Sequence, residues 1–174
     1  MRPTRDAVRK TERTGMSMDG RANYEQHMAE AIGQAERAGA LGEAPIGAVI
    51  VRAGRTVAAA HNRRIIDSDP TAHAEMLAIR QAAGALGDWR LTGCEMFVTL
   101  EPCCMCAGAI VLARIDRLIY GATDPKAGAV STLYQICSDP RLNHRAEVVG
   151  GVLAEQCGRL LTEFFQRQRD AGKK

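Results

Sequence analysis

Two short stretches constrain this chain more than anything else in it: His73-Ala74-Glu75 and, thirty residues further on, Pro102-Cys103-Cys104-Met105-Cys106. Thiolates and an imidazole suit zinc, and two cysteines three apart at a helix start turn their side chains toward one point. The set supplies three protein ligands, His73, Cys103 and Cys106. A structural zinc normally closes with a fourth, whereas a catalytic one keeps a position for water, so three ligands point to chemistry. Glu75, two residues past the imidazole, can reach a water on the metal without itself binding the metal. Whatever the fold, it has to bring these two stretches face to face.

Each piece alone is ambiguous. Cys-x-x-Cys also serves as a redox pair, and His-x-Glu occurs by chance in many helices. The conjunction is more specific, because each piece falls where a loop or strand gives way to a helix and a proline immediately precedes the first cysteine. A redox pair and a structural zinc stand as the alternatives. At a helix start the macrodipole and a metal both favour the thiolate of Cys103. Cys104 is rotated about 100° from its neighbour and reads as a small apolar side chain.

The 174 residues, 46% of them apolar, fit one domain with a substantial core. No apolar run is long enough to span a bilayer. The basic opening lacks the apolar segment of a secretory signal, so a cytoplasmic protein is expected. Three of the six cysteines crowd into the motif, which in a reducing compartment favours metal over disulfides. A net charge of +3 permits a nucleic-acid partner without requiring one.

Residues 1–20, with Arg2, Arg5, Arg9, Lys10 and Arg13 and hardly an apolar side chain between them, read as a flexible basic arm ahead of a domain over 21–174. From Asn23, Tyr24, His27, Met28, Ala31, Ile32, Ala35 and Ala38 recur at helical spacing until Gly39 and Gly42. His27 on that stripe is expected to pack rather than ligate. Residues 46–51 and 56–61 predict a hairpin, 62–69 a loop, 73–86 a helix, 95–100 a strand and 103–113 a helix. A strand over 115–120, a glycine-bracketed loop over 121–128, a short helix over 132–137, a strand over 147–149 and a helix over 154–169 follow. Alternating strands and helices without a repeat or linker give one α/β domain.

His73-Ala74-Glu75 with Pro102-Cys103-Cys104-Met105-Cys106 resembles the H-x-E and P-C-x-x-C signature of zinc nucleobase deaminases. Much of residues 24–169 is similar to the bacterial tRNA-specific adenosine deaminase family. Glu43-Ala-Pro-Ile-Gly-Ala48, Asn62-Arg63, Asp69-Pro-Thr-Ala-His-Ala-Glu75, Thr99-Leu-Glu-Pro-Cys-Cys-Met-Cys-Ala-Gly-Ala109, Asn143-His144-Arg145 and Phe164-Phe165 carry that likeness. The resemblance implies a three-layer cytidine-deaminase-like fold, with a central five-stranded mixed sheet and helices on both faces. It implies a homodimer with one zinc per subunit, acting on the tRNA anticodon stem-loop to turn the wobble adenosine into inosine. It also implies substrate roles: Asn62 on the flipped nucleoside, Asp124 on the RNA sugar, Lys126 on phosphate, Asn143 and His144 on flanking nucleotides, and Phe165 with Arg169 on an unpaired base and its phosphates.

Read without the resemblance, Asn62 caps a turn, Asp124 makes a turn before Pro125, Lys126 is solvated, Asn143 and His144 tie down a loop, and the last helix is an ordinary amphipathic one. In that helix Gln166 and Gln168 stand where other members often carry basic residues. The expected chemistry has zinc lowering the pKa of its water to about 7 while Glu75, the catalytic residue, shuttles the proton. Two alternatives stand beside it. One is a small-molecule deaminase of guanine or of cytosine or cytidine, using the same zinc and glutamate. The other is a zinc-stabilised RNA-binding module without catalysis, against which Glu75 argues.

Overall fold

The computed structural model describes residues 18–172, with side-chain exposure from residue 22 onward. Among the described residues five strands form one sheet in the order β2-β1-β3-β4-β5. The strands are β1 Gly47–Arg52, β2 Arg55–His61, β3 Cys94–Leu100, β4 Arg117–Ala122 and β5 Glu147–Gly150. β1 runs antiparallel to both β2 and β3, while β3, β4 and β5 are parallel. Four helices cover it: α1 Met18–Ala40, α2 Ala74–Leu86, α3 Cys104–Leu112 and α4 Ala154–Asp170. Among the described residues no helix is long and apolar enough to cross a membrane.

Alternation along each strand sorts the core into two layers. Ala48, Ile50, Met96, Val98, Leu118 and Tyr120 face α2 and α3, where Ala74, Ala78, Ala82, Ala107 and Ile110 meet them. Val49, Val51, Phe97 and Ile119 face the other way, onto Tyr24, Met28 and Ala31 of α1 and Cys157 of α4. Sequence patterning alone does not say how closely these layers approach. A Cβ on Gly47 would collide with the α1 backbone at Ala31 and Ala35, so the glycine lets the helix lie directly on β1. The β1–β2 hairpin turns through Ala53 and Gly54 at φ 49° and 74°, the pair of positive values that a two-residue turn of this hand needs.

The sheet order fixes the site. β1 begins beside the end of β2, through Gly47 opposite His61, and beside the end of β3, through Ala48 opposite Val98. β2 and β3 therefore finish at the same edge, and the helices that follow them start there.

Several boundaries differ from the sequence reading. α1 begins at Met18, so the last three residues of the expected arm are helical, and residues 1–17 lie outside the described residues. The expected helix over 132–137 is instead a single 3-10 turn, Ile136–Ser138, because the backbone N–H groups of Ser131 and Thr132 donate to a side chain rather than to a helical ladder. β4 starts at Arg117, two residues late, since Ile115 still bonds back to Ile110 at the end of α3.

Candidate active site

His73 and Cys103 are the N-cap residues of α2 and α3, one position before the helical turns that the sequence predicted for them. Both have extended backbones, with ψ of 150° and 175°, and neither side chain caps its helix. An N-cap side chain ordinarily folds back onto the first turn; here the imidazole and the thiol are left to meet each other. His73 Nδ1 lies 3.8 Å from Cys103 Sγ and 3.6 Å from Cys106 Sγ.

All three ligand atoms lie within 4.8 Å of one another, and among the described residues no fourth histidine, cysteine or carboxylate atom joins them. Zinc bond lengths of about 2.0–2.3 Å at tetrahedral angles put nitrogen and sulfur ligands about 3.5–3.8 Å apart. The donor set and its spacing therefore fit a zinc ion with three protein ligands. Cys106 is buried, whereas Cys104 is exposed on the outside of α3, which corrects the expectation of a small apolar role for it. The free cysteines Cys94, Cys137 and Cys157 are buried elsewhere in the core.

Electrostatics separate the groups. Hydrogen bonds from Cys106 and His73 hold the Cys103 thiol down at about 3, in the thiolate form a metal requires. The Cys106 thiol is pushed up by its hydrogen bond to Cys103 and by burial. The Cys103 sulfur beside it raises the His73 imidazole. Glu75, 4% exposed, stands in the first turn of α2 and is raised by burial, with its carboxylate hydrogen-bonded toward Cys106. It is thus a carboxyl beside the ligand group, outside it, with a raised proton affinity.

Asn62 is buried where β2 ends, and its amide Nδ2 donates to Glu43 Oε2 at 3.1 Å. Glu43 is itself 1% exposed, and its other oxygen accepts the N–H groups of Ile65 and Ile66 at 2.6 and 2.8 Å. The loop after β2 is thus gathered around one carboxylate, which also orients Asn62. A second buried carboxylate, Glu101, does the same for the segment after β4. The sequence reading assigned no role to Glu43 or Glu101. The available signal was a glutamate set against proline or apolar residues at the end of a buried stretch, where a charge needs several donors to persist.

The other expected contact residues are placed as follows. Asp124 is half-buried, and its Oδ1 accepts the N–H groups of Lys126 and Ala127, making the turn that its position before Pro125 suggested. Lys126 is exposed at the tip. Asn143 accepts from Arg114 at 2.8 Å and His144 Nε2 meets the Ile115 carbonyl at 2.8 Å, so both are tied to the chain just beyond α3. That is the far end of α3, about 13 Å along the helix from Cys103 and about 9 Å from Cys106. On α4, Phe164 is buried and Phe165 is 46% exposed, the two rings edge to face at 5.3 Å. Arg169 is exposed and donates to Gln166; Lys173 and Lys174 lie outside the described residues. His27, as expected, packs, with its ring 5.2 Å from that of Phe97.

The model of the cytidine and deoxycytidylate deaminase zinc-binding region matches residues 21–122, a span that contains every member of the ligand group. The chain is 51% identical over 149 residues to a tRNA-specific adenosine deaminase of Bacillus subtilis, covering 86% of this chain and 92% of the relative. It is 46% identical over 150 residues to one from Haemophilus influenzae, covering 86% and 87%. A solved structure from studies of A-to-I editing by tRNA:A34 deaminases at the wobble position of transfer RNA superposes with a TM-score of 0.76. That superposition has 46% identity and covers 78% of this chain and 99% of the other.

Proposed function

This chain belongs to the cytidine and deoxycytidylate deaminase family, alongside the bacterial tRNA-specific adenosine deaminases, and we propose that it hydrolyses the wobble adenosine of a tRNA anticodon to inosine. The observation that carries this is the group of His73 Nδ1, Cys103 Sγ and Cys106 Sγ with a buried Glu75 beside it. That group stands in a chain half identical to an enzyme of that name. The five-stranded mixed sheet with two helices on each face is the cytidine-deaminase-like fold.

His73, Cys103 and Cys106 would hold one zinc per subunit. When bound there, the zinc supplies the Lewis acidity that brings hydroxide within reach at neutral pH. Glu75 is assigned the proton work: it takes a proton from the attacking water and delivers it to the ring nitrogen beside the amino-bearing carbon, then takes the second proton from the new hydroxyl on that carbon and gives it to the departing amine. Water adds, ammonia leaves, and inosine remains. Burial raises the proton affinity of Glu75, which suits a group that must accept a proton and give it back.

Asn62, held by Glu43, is assigned to the flipped nucleoside, with Asp124 and Lys126 on sugar and phosphate. Phe165 and Arg169, both exposed on α4, are assigned to a splayed base and its phosphate. Asn143 and His144, bonded to Arg114 and to the Ile115 carbonyl just beyond the far end of α3, are assigned to anchoring the loop before β5, with contact to flanking nucleotides as the second role open to them. A homodimer is part of the reading, supported by large apolar side chains left exposed on the loops of the site, Ile65 and Ile66 on one and Leu133 and Tyr134 on the other. So is a cytoplasmic setting, where tRNA is present and free thiols persist.

The test is incubation of the purified protein with an adenosine-bearing anticodon stem-loop and analysis for inosine, with free adenosine, cytidine and guanine in parallel. Inosine in the RNA with the free compounds untouched is the expected result. Turnover of a free base or nucleoside instead would transfer the assignment to a small-molecule deaminase. Binding of RNA without any ammonia would leave only the non-catalytic module.

A further inference from the structure

Residues 123–135 form neither helix nor strand, yet the segment is ordered around one group. Glu101, 2% exposed, lies between the end of β3 and the Pro102-Cys103 junction. Its Oε1 accepts the N–H groups of Val130, Ser131 and Thr132 at 3.2, 2.8 and 2.9 Å, and the Ser131 hydroxyl at 3.2 Å. Its Oε2 accepts the Asp124 N–H at 3.1 Å and the Thr132 hydroxyl. The next residue joins in, since the Pro102 carbonyl accepts the Ala129 N–H at 2.8 Å. There is no slack: a Cβ on Gly128 would run into the Glu101 carboxylate.

Two of the residues that hold this segment, Glu101 and Pro102, are the pair immediately before the ligand Cys103. The Asp124–Lys126 turn is thereby tied to the start of α3, and so to the metal ligands, while Ala129 and Val130 seat the middle of the segment in the core and Ser131 Oγ meets the Tyr120 hydroxyl at 2.6 Å. An irregular segment of this length is usually held by scattered contacts and moves with the surface. Here a single ionised carboxylate, all of whose partners are donors, gathers both ends of it.

We propose that Glu101 is a positioning residue for the RNA substrate: it touches no reacting atom, and it sets where Asp124 and Lys126 stand relative to the metal ligands. This rests on the RNA reading above. Replacing the carboxylate by an amide separates its two ends. In Glu101→Gln one oxygen can keep the Val130, Ser131 and Thr132 donors, while the new NH2 opposes the Asp124 N–H and frees that end of the segment.

The experiment is steady-state kinetics on an anticodon stem-loop, with zinc content measured on the same samples. Glu101→Gln is expected to raise KM about tenfold, the worth of one charge-assisted hydrogen bond, with kcat and zinc content close to wild type. Thr132→Val removes one donor from the same carboxylate and leaves Glu101 itself in place, and is expected to raise KM in the same way should Glu101→Gln not fold; Gly128→Ala, which presses a methyl group against that carboxylate, is expected to do so as well. A fall in kcat at unchanged KM, or loss of zinc from variants that remain folded, would overturn the proposal. If wild type is active on the stem-loop and none of the variants alters KM, this inference fails alone. If wild type is inert toward the stem-loop, the RNA reading and this inference fall together.

Discussion

Glu75 and Glu101 are both buried carboxylates close to the same cysteines, and their surroundings move them in opposite directions. Glu75 has burial as its largest influence and is raised. For Glu101 burial also works upward, but the Thr132 hydroxyl and the N–H groups of Ser131, Asp124 and Thr132 outweigh it and hold the carboxyl at about 2. The difference assigns one to proton transfer and the other to structure. Glu75→Gln should lower kcat for ammonia release by about two to four orders of magnitude while zinc, measured by atomic absorption, stays bound; loss of zinc with activity would contradict its role. Glu101 is depressed from an ordinary value of 4.5 to about 2, so its contribution to stability is complete above about pH 4.5 and disappears as pH falls toward 2. Thermal unfolding across that range should show wild type ahead of Glu101→Gln by several degrees near neutrality, with the gap closing on acidification. A gap independent of pH would mean that the charge is not what the segment needs.

At the scale of elements, the periodicities located nearly every helix and strand, since burial on one face leaves the same mark in any fold that buries it. What periodicity could not give is the job of a helix end or the face of a neighbour pair. The two phenylalanines that end the core of α4 show this: adjacent in sequence, one lies at 7% exposure and the other at 46%. Phe164→Ala removes a buried ring and should cost about 3 kcal/mol or more in urea unfolding. Phe165→Ala should stay within about 0.5 kcal/mol of wild type and instead raise KM for the stem-loop several-fold, because stacking on an aromatic is worth about 1–3 kcal/mol per base. A stable, fully active Phe165→Ala enzyme would remove that side chain from the RNA surface.

For the whole molecule the RNA reading makes a further demand, because phosphate contacts release counterions. With about three phosphates engaged by Lys126, Arg169 and their neighbours, affinity for the stem-loop should fall more than tenfold between 50 and 200 mM salt. Fluorescence anisotropy of a labelled stem-loop reads this directly. A flat salt response would indicate a pocket that sees only the base. The exposed Ile65, Ile66, Leu133 and Tyr134 bear on the same scale, since these residues border both loops of the site. Sedimentation of the active species at twice the chain mass is the expected outcome, and an active monomer would refute the dimer.

The sequence by itself determined which histidine and cysteines come together as a group able to hold a metal, which carboxylate follows the histidine, and the order of elements, because spacing of donor atoms and burial of one face are local properties of the chain. It did not reveal that Cys104 is exposed, that His73 and Cys103 stand at N-caps, or that Glu43 and Glu101 each hold a loop. The two carboxylates find their partners 19 to 31 residues away. Only the tertiary structure decided them, because a buried carboxylate is tolerated where the returning backbone brings it enough N–H groups, and no local pattern records which backbone will return.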